Sequence, residues 1–288
     1  MSFTVRKWLL RSVLLLPLVL VAQILLDTYA VKMEIIEVEI SGLPEALDGY
    51  RILQVSDFHG RRFTKDGSLA KKIVAAAPDI IVLTGDYVDK DKTEIYNLYP
   101  LLEVMTTVAP VFAVSGNHDH RINWPQIAAS LRAVGVEVLE NRHVLLHKNG
   151  GTLVLAGVSD PYSGFADLEA ALPQTTAGPI ILLAHAPTWF EPTSIYSSSP
   201  VIATEKALLE KVALTLTGHT HRGQIKLPLL GAVTTASGRL FPKSHVEGLI
   251  REQNGWIYIS RGIGRTGFLP LRFLSRAEIS LLVLRAAH

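Results

Sequence analysis

Ile80-Ile81-Val82-Leu83-Thr84-Gly85-Asp86 is an apolar run that stops at a glycine and an acid. Four branched apolar residues in a row are too few for a helix. They read as a strand buried on both faces, and such strands belong to parallel sheets. The pattern recurs on either side. Arg51–Val55 runs into Ser56-Asp57-Phe58-His59-Gly60, and Val111–Val114 runs into Ser115-Gly116-Asn117-His118-Asp119. Helical spacing fills the neighbouring intervals: Ser68–Ala77, which stops ahead of Pro78, then Thr93–Thr107, and Pro125–Val134 with its proline early. Strand and helix in alternation predict an α/β fold.

The second half is richer in strands. Glu137–Glu140, Val144–His147 and Thr152–Val158 read as strands, with Asn149-Gly150-Gly151 as a hairpin turn. Ile180–Leu183 leads to Ala184-His185, and Leu214–Leu216 leads to Thr217-Gly218-His219-Thr220-His221-Arg222-Gly223-Gln224. Lys206–Lys211 reads as helical, and Trp256–Ile259 and Glu278–Leu284 as closing strands. Upstream, Glu34–Ser41 alternates apolar and polar residues, which predicts an antiparallel edge strand.

Hydrophobic residues make up 48% of the 288 and charged residues 19%, which fits a globular chain and excludes a disordered one. A formal charge of +2 asks for no nucleic-acid partner. The chain has no cysteine, so disulfides and thiolate ligands are excluded and any metal is held by nitrogen and oxygen.

The N-terminus stands apart. Arg6, Lys7 and Arg11 precede Ser12–Leu26, fifteen residues without a charge. That run spans about 22 Å as a helix; starting at Trp8 and letting Arg11 snorkel gives about 28 Å, close to the roughly 30 Å of a hydrocarbon core. Residues 1–31 are therefore expected to be a membrane anchor and 32–288 the main domain. A cleaved signal peptide, cut before Val31, is the alternative. The basic residues precede the apolar run, which places the main domain outside the cytoplasmic membrane.

Five strand ends carry polar residues: Asp57 and His59, Asp86, Asn117, His185, and His219 with His221. Each alone has an ordinary reading, an Asp as a cap or turn former and a His as a satisfied core residue. Together they lie where open α/β sheets place ligands, at the C-terminal ends of strands. Asp57 to Asp86 and Asp86 to Asn117 are 29 and 31 residues apart, close to one βαβ unit each. Carboxylate, amide and imidazole suit manganese, iron or zinc. Seven ligands are too many for one tetrahedral ion and fit two divalent ions sharing a carboxylate. Such a pair clamps a phosphoester and supplies hydroxide near neutral pH.

These blocks, Asp57-Phe58-His59, Gly85-Asp86, Gly116-Asn117-His118-Asp119, His185 and Gly218-His219-Thr220-His221, resemble those of the calcineurin-like metallophosphoesterases, in order and spacing from Arg51 to Gln224. The resemblance implies a four-layer α/β/β/α sandwich with a dinuclear centre. It implies that Asp57, His59 and His221 bind one ion, Asn117, His185 and His219 the other, and that Asp86 bridges them. It implies His118 as the catalytic residue that protonates the leaving alkoxide or stabilises the transition state. No position of the pattern is missing. The apolar N-terminus and Ser260-Arg261-Gly262-Ile263-Gly264 resemble a membrane-associated phosphodiesterase subgroup, some relatives of which cleave the pyrophosphate of UDP-2,3-diacylglucosamine in lipid A synthesis. The expected activity is hydrolysis of a phosphodiester or pyrophosphate; the competing class is a non-catalytic metal-dependent binding module.

The remaining candidates lie in loops. Arg222 and Arg261 are expected to touch a second phosphate, with Arg265, Arg272 and Arg276 adding positive charge, and His120 to join the site. A solvated basic face is the alternative for the arginines. Trp189, Phe190 and Tyr196 read either as a substrate cap or as core. Phe268-Leu269-Pro270-Leu271 reads as a core strand or as a segment that dips into a membrane.

Overall fold

The computed structural model describes residues 3–190, 205, 207–235, 240–267 and 269–287, the first twelve of these by backbone course. Tyr196, Lys206, Phe268 and His288 lie outside the described residues.

Two six-stranded sheets face each other. The first is built from β1 (Lys32–Ile40), β2 (Arg51–Val55), β3 (Ile80–Thr84), β4 (Val111–Val114), β5 (Glu137–Val138) and β14 (Glu278–Ala286), in the order β1-β14-β2-β3-β4-β5. The second comprises β6 (Arg142–Lys148), β7 (Gly151–Gly157), β8 (Ile180–Leu183), β9 (Val212–Thr217), β12 (Gly248–Arg251) and β13 (Trp256–Ile259), in the order β12-β13-β9-β8-β7-β6. A two-stranded ribbon, β10 (Lys226–Leu227) with β11 (Gly231–Ala232), lies apart. β2, β3, β4 and β5 run parallel, as do β7, β8, β9 and β13. The result is the mixed α/β architecture that the strand pattern predicts.

Alternation within each strand assigns its two faces. From β2 and β3, Ile52, Ile80 and Val82 meet Leu155, Ile181, Leu183 and Leu216 of the second sheet in one apolar layer. Their neighbours Leu53, Val55, Ile81 and Leu83 face the other way, onto α2 (Ser68–Ala76), α3 (Tyr99–Val108) and α5 (Trp124–Ala133). A third apolar layer covers the outside of the second sheet, where Val154, Ala156 and Leu182 pack on α6 (Leu168–Ala171), Trp189 and Leu209. Between the sheets, buried Gln54 donates to Thr84 Oγ1 and to the Thr217 carbonyl, both at 2.9 Å. That amide pins together the ends of β2, β3 and β9, where the polar residues emerge.

Several local expectations change. β1 is an edge strand, but it pairs parallel to β14 rather than antiparallel, with Lys32 opposite Glu278. The helix expected over Thr93–Thr107 is two pieces, a 3-10 turn at Lys92–Asn97 and then α3. Pro100 lacks the N–H that would continue the earlier turn and instead sits in the first turn of α3. The segment around Leu269–Leu271 is not a core strand; Leu269 and Leu271 are exposed. Asn149 and Gly150 both have positive φ and close the β6–β7 hairpin as expected.

The expected N-terminal helix forms as α1 (Phe3–Tyr29), although among the described residues no helix is long and apolar enough to cross a membrane. Its last turn is tied into the domain. Asp27 and Thr28 are buried; Asp27 Oδ2 accepts from the Leu274 N–H at 2.7 Å, and Thr28 Oγ1 accepts from the Arg272 N–H at 3.0 Å.

Candidate metal centre

All seven candidate ligands come together at the C-terminal ends of five parallel strands. Asp57 and His59 follow β2, Asp86 follows β3, and Asn117 opens the short α4 (Asn117–Ile122) after β4. His185 follows β8, and His219 and His221 follow β9. Five of these residues have left-handed backbone: Asp57 (φ 56°), His59 (46°), Asp86 (56°), His219 (68°) and His221 (50°). Each such position costs an L-residue about 1–3 kcal/mol and persists only where the surroundings impose it. Gly218 lets the loop after β9 approach, since a Cβ there would sit 2.1 Å from Ser56 Oγ and 2.4 Å from Asp57 Oδ2.

The donor atoms form two buried groups that share one residue, Asp57, His59, Asp86 and His221 in one and Asp86, His185 and His219 in the other. Asp86 Oδ2 lies 3.5 Å from His59 Nε2 and 3.4 Å from His185 Nε2. In the first group His59 Nε2 and His221 Nε2 are 2.9 Å apart, and His221 Nε2 is 3.4 Å from Asp57 Oδ1. In the second, Asn117 Oδ1 lies 3.0 Å from both His185 Nε2 and His219 Nδ1. His185 Nδ1–H donates to the Thr84 carbonyl at 2.7 Å, which leaves the Nε2 lone pair facing an amide oxygen and a second imidazole. That crowd of acceptors, all nitrogen and oxygen, suits a divalent cation.

For Asp86, His219 and His221 the electrostatics agree with the geometry, whereas burial raises the Asp57 carboxyl and, against burial, the Asp86 charge raises the His185 ring well above the ordinary imidazole value. Burial opposes ionisation of Asp86, but His185, His59 and His118 outweigh it and hold its carboxyl well below the ordinary range. Burial, then the neighbouring His185, pulls His219 down to about 3. Burial, His59 and Arg272 hold His221 well below the imidazole value. Both rings are therefore neutral near pH 7, the form that ligates metals.

Around this centre lie groups the sequence does not single out. Asp119 is buried, and its carboxylate accepts from the N–H groups of Asp86 (2.9 Å), Tyr87 (2.9 Å), Val88 (3.4 Å) and Gly116 (2.8 Å). It thereby fixes the loop that carries Asp86 to the one that carries Asn117. Asp119→Ala strands these donors, and we expect a loss of about 3–5 kcal/mol in a denaturant titration, since each buried orphan costs about 1–3 kcal/mol. Asp89 accepts from His59 Nδ1–H at 3.2 Å and from Thr266 Oγ1–H at 2.7 Å, and lies 3.2 Å from His118 Nδ1. Arg272 is fully buried. Its guanidinium donates to the carbonyls of Gly264, Ser275 and Arg261 and to His221 Nδ1 at 3.2 Å. No sequence signal marks a buried arginine. Asp119 at least stands inside the Asn117-His118-Asp119 block.

His118 lies at the edge of the first group. Its ring meets that of His59 edge-on at 4.7 Å, and its Nδ1 lies 3.2 Å from Asp89 Oδ1 and 2.8 Å from Arg121 Nη2. Burial lowers the pKa of this ring, but the Asp89 hydrogen bond and the Asp86 charge outweigh it, and the net shift is upward. A cavity of about 210 Å³ opens beside His118, Asn117, His219 and His221.

The other expected contacts stand farther out. Arg222 pairs with Glu247 at 2.5 Å, and Arg261 pairs with Glu247 at 2.9 Å and Glu278 at 3.0 Å. His120 bonds Ser115 Oγ at 2.8 Å and stacks on Phe165. Trp189 is buried, with its indole N–H on Glu205.

Residues 50–223 match the family model described as calcineurin-like phosphoesterase. The chain is 32% identical over 254 residues to the uncharacterized metallophosphoesterase YkuE of Bacillus subtilis, covering 85% of this chain and 82% of that one. It is 29% identical to the phosphodiesterase YaeI of Escherichia coli, covering 82% of each. It is 32% identical to a transmembrane protein with metallophosphoesterase domain of Danio rerio, covering 88% of this chain but 57% of that one. Among solved structures, a 5'-nucleotidase precursor from Thermus thermophilus superposes with a TM-score of 0.47 at 13% identity, over 81% of this chain and 54% of that one. The chain belongs to the calcineurin-like metallophosphoesterases. It is a metal-dependent phosphoester hydrolase, and family and Asp/His clusters together imply a dinuclear divalent metal site.

Proposed function

We propose that the protein hydrolyses a phosphodiester or pyrophosphate bond at a membrane surface. The observation that carries the reading is the single oxygen Asp86 Oδ2, within 3.5 Å of a histidine from each donor group. Asp57, His59 and His221 hold one cation in this reading, Asn117, His185 and His219 the other, and Asp86 bridges. When bound, two divalent cations supply Lewis-acid stabilisation of the phosphoryl charge and a hydroxide nucleophile at neutral pH. His118 is the catalytic acid. With its Nδ1–H directed at Asp89, Nε2 carries the proton for the departing alkoxide. Arg222, Arg261 and His120 form the outer part of the proposal, around the rest of the ester.

The membrane part draws on the apolar α1, the name of the Danio rerio relative and the N-terminal charge pattern. In this reading residues 1–31 anchor the catalytic domain of residues 32–288, on the outer side of the cytoplasmic membrane. The diester part draws on the name of the Escherichia coli relative. UDP-2,3-diacylglucosamine is the pyrophosphate to test beside it. A panel of bis(p-nitrophenyl) phosphate, p-nitrophenyl phosphate and UDP-2,3-diacylglucosamine tests the assignment. We expect turnover of the diester or the pyrophosphate to exceed that of the monoester. A preference for the monoester would overturn it.

A pH effect follows from the His118 shift. A raised pKa keeps the ring protonated above the ordinary imidazole range, so activity declines only as pH rises through the raised value. Asp89→Asn removes the first of the two groups that raise it. The alkaline limb of the kcat/KM profile is then expected to move to lower pH, whereas an unmoved limb would show that Asp89 does not set it.

A further inference from the structure

We infer that the foot of α1 carries a site for the phosphate headgroup of an anionic phospholipid. The inference rests on the membrane reading above and concerns a surface separate from the metal centre. Three cations cap the exit of α1. Arg61 Nη2 donates to the Tyr29 carbonyl at 2.6 Å, Arg276 Nε to Ala30 at 2.9 Å, and Lys72 Nζ to Val31 at 2.5 Å. Exposed Arg62 lines a cavity of about 390 Å³ with Arg61, Lys72 and Tyr29, and Arg265 lies over the Tyr29 ring at 4.9 Å.

Helix capping alone does not account for this cluster. A helix C-terminus offers the equivalent of about half a negative charge, against five cations. Among the described residues none of the five forms an ion pair with a carboxylate, unlike Arg222, Arg261 or Arg285. Arg61 and Arg265 also repel, and the Arg61 guanidinium is held below its usual range by burial and by that neighbour. The caps use one or two donors per side chain. Arg276 keeps its terminal nitrogens and Lys72 two of its N–H bonds for another acceptor. An anion with several oxygens is the missing partner.

Its source is indicated by what adjoins the cluster. Leu15, Leu16, Leu18, Val19 and Val21 of α1 are each more than half exposed, and Leu269 and Leu271 are exposed on the segment that Thr28 holds through Arg272. Apolar surface continuous with an unpaired cationic cleft matches acyl chains continuous with a phosphate headgroup.

The test uses the full chain in neutral detergent micelles, with chelator present so that the metal centre takes no part. Thermal unfolding is followed while dihexanoyl-phosphatidylglycerol, dihexanoyl-phosphatidylcholine or inorganic phosphate is added. We expect a saturable rise in Tm with phosphatidylglycerol only. Each basic side chain near an anionic lipid surface contributes about fivefold in affinity, so Arg62→Gln with Arg265→Gln should raise the half-saturating concentration about 25-fold. Arg251→Gln, on the distant β12, should leave it unchanged. Equal response to both lipids, an unmoved double variant, or an equal response to inorganic phosphate would each overturn the assignment. Flotation of the full chain on neutral phosphatidylcholine vesicles tests the membrane reading separately, because it needs α1 and no headgroup charge.

Discussion

Asp86→Ala is expected to empty both metal positions and to lower diester turnover by more than about a thousandfold. The carboxylate is the only side chain common to both donor groups. Its Oδ2 faces His59 and His185, while Oδ1 accepts the His118 N–H at 2.9 Å and so also sets where His118 begins. Removing a single preorganised electrostatic contact typically costs 10²–10³ in rate, and here one change removes a ligand from each side and the brace on the acid. Metal analysis after dialysis should find fewer than half the ions held by the wild type. Loss of ions from one position only would assign Asp86 to that position and end its bridging role. The fold should survive, because Asp119 still holds the surrounding loops.

His118→Gln is expected to behave differently. The ring stands outside the two buried groups that share Asp86, although its donor atom lies near those of His59 and Asp89; metal content should be unchanged while turnover falls about 10²–10⁴-fold, the usual worth of a positioned acid. The size of the loss should follow the leaving group. An activated aryl ester departs without a proton and loses little; an alkyl diester needs the proton and loses most. A loss independent of the leaving group would make His118 a stabiliser of phosphoryl charge rather than the acid.

Much of this centre was legible because buried parallel strands end in view. Once Val55, Leu83, Val114, Leu183 and Leu216 are read as strand ends, the polar residues that follow must emerge on one edge. Conversely, alternation in β1 reports that one face is buried but not which way its neighbour runs, so its parallel pairing with β14 was hidden. The break before α3 turned on where Pro100 falls within a helix-like pattern. The sequence places Arg272 among arginines for a second phosphate or a solvated basic face, yet its guanidinium is taken up by the carbonyls of Gly264, Ser275 and Arg261, all within eleven residues, and by His221, 51 residues back. Asp89 likewise owes its role to partners 30 residues back and 177 residues on. Such roles are set by tertiary contact and leave no local periodicity.

A phosphoesterase built on two cations bridged by Asp86 needs both ions for turnover. The most direct test is a titration of chelator-stripped protein with Mn²⁺, following bis(p-nitrophenyl) phosphate hydrolysis and bound metal in the same samples. No turnover is expected in the stripped protein, and full turnover only as the second ion per chain is bound. Full activity in excess chelator, or full activity at one ion per chain, would contradict it.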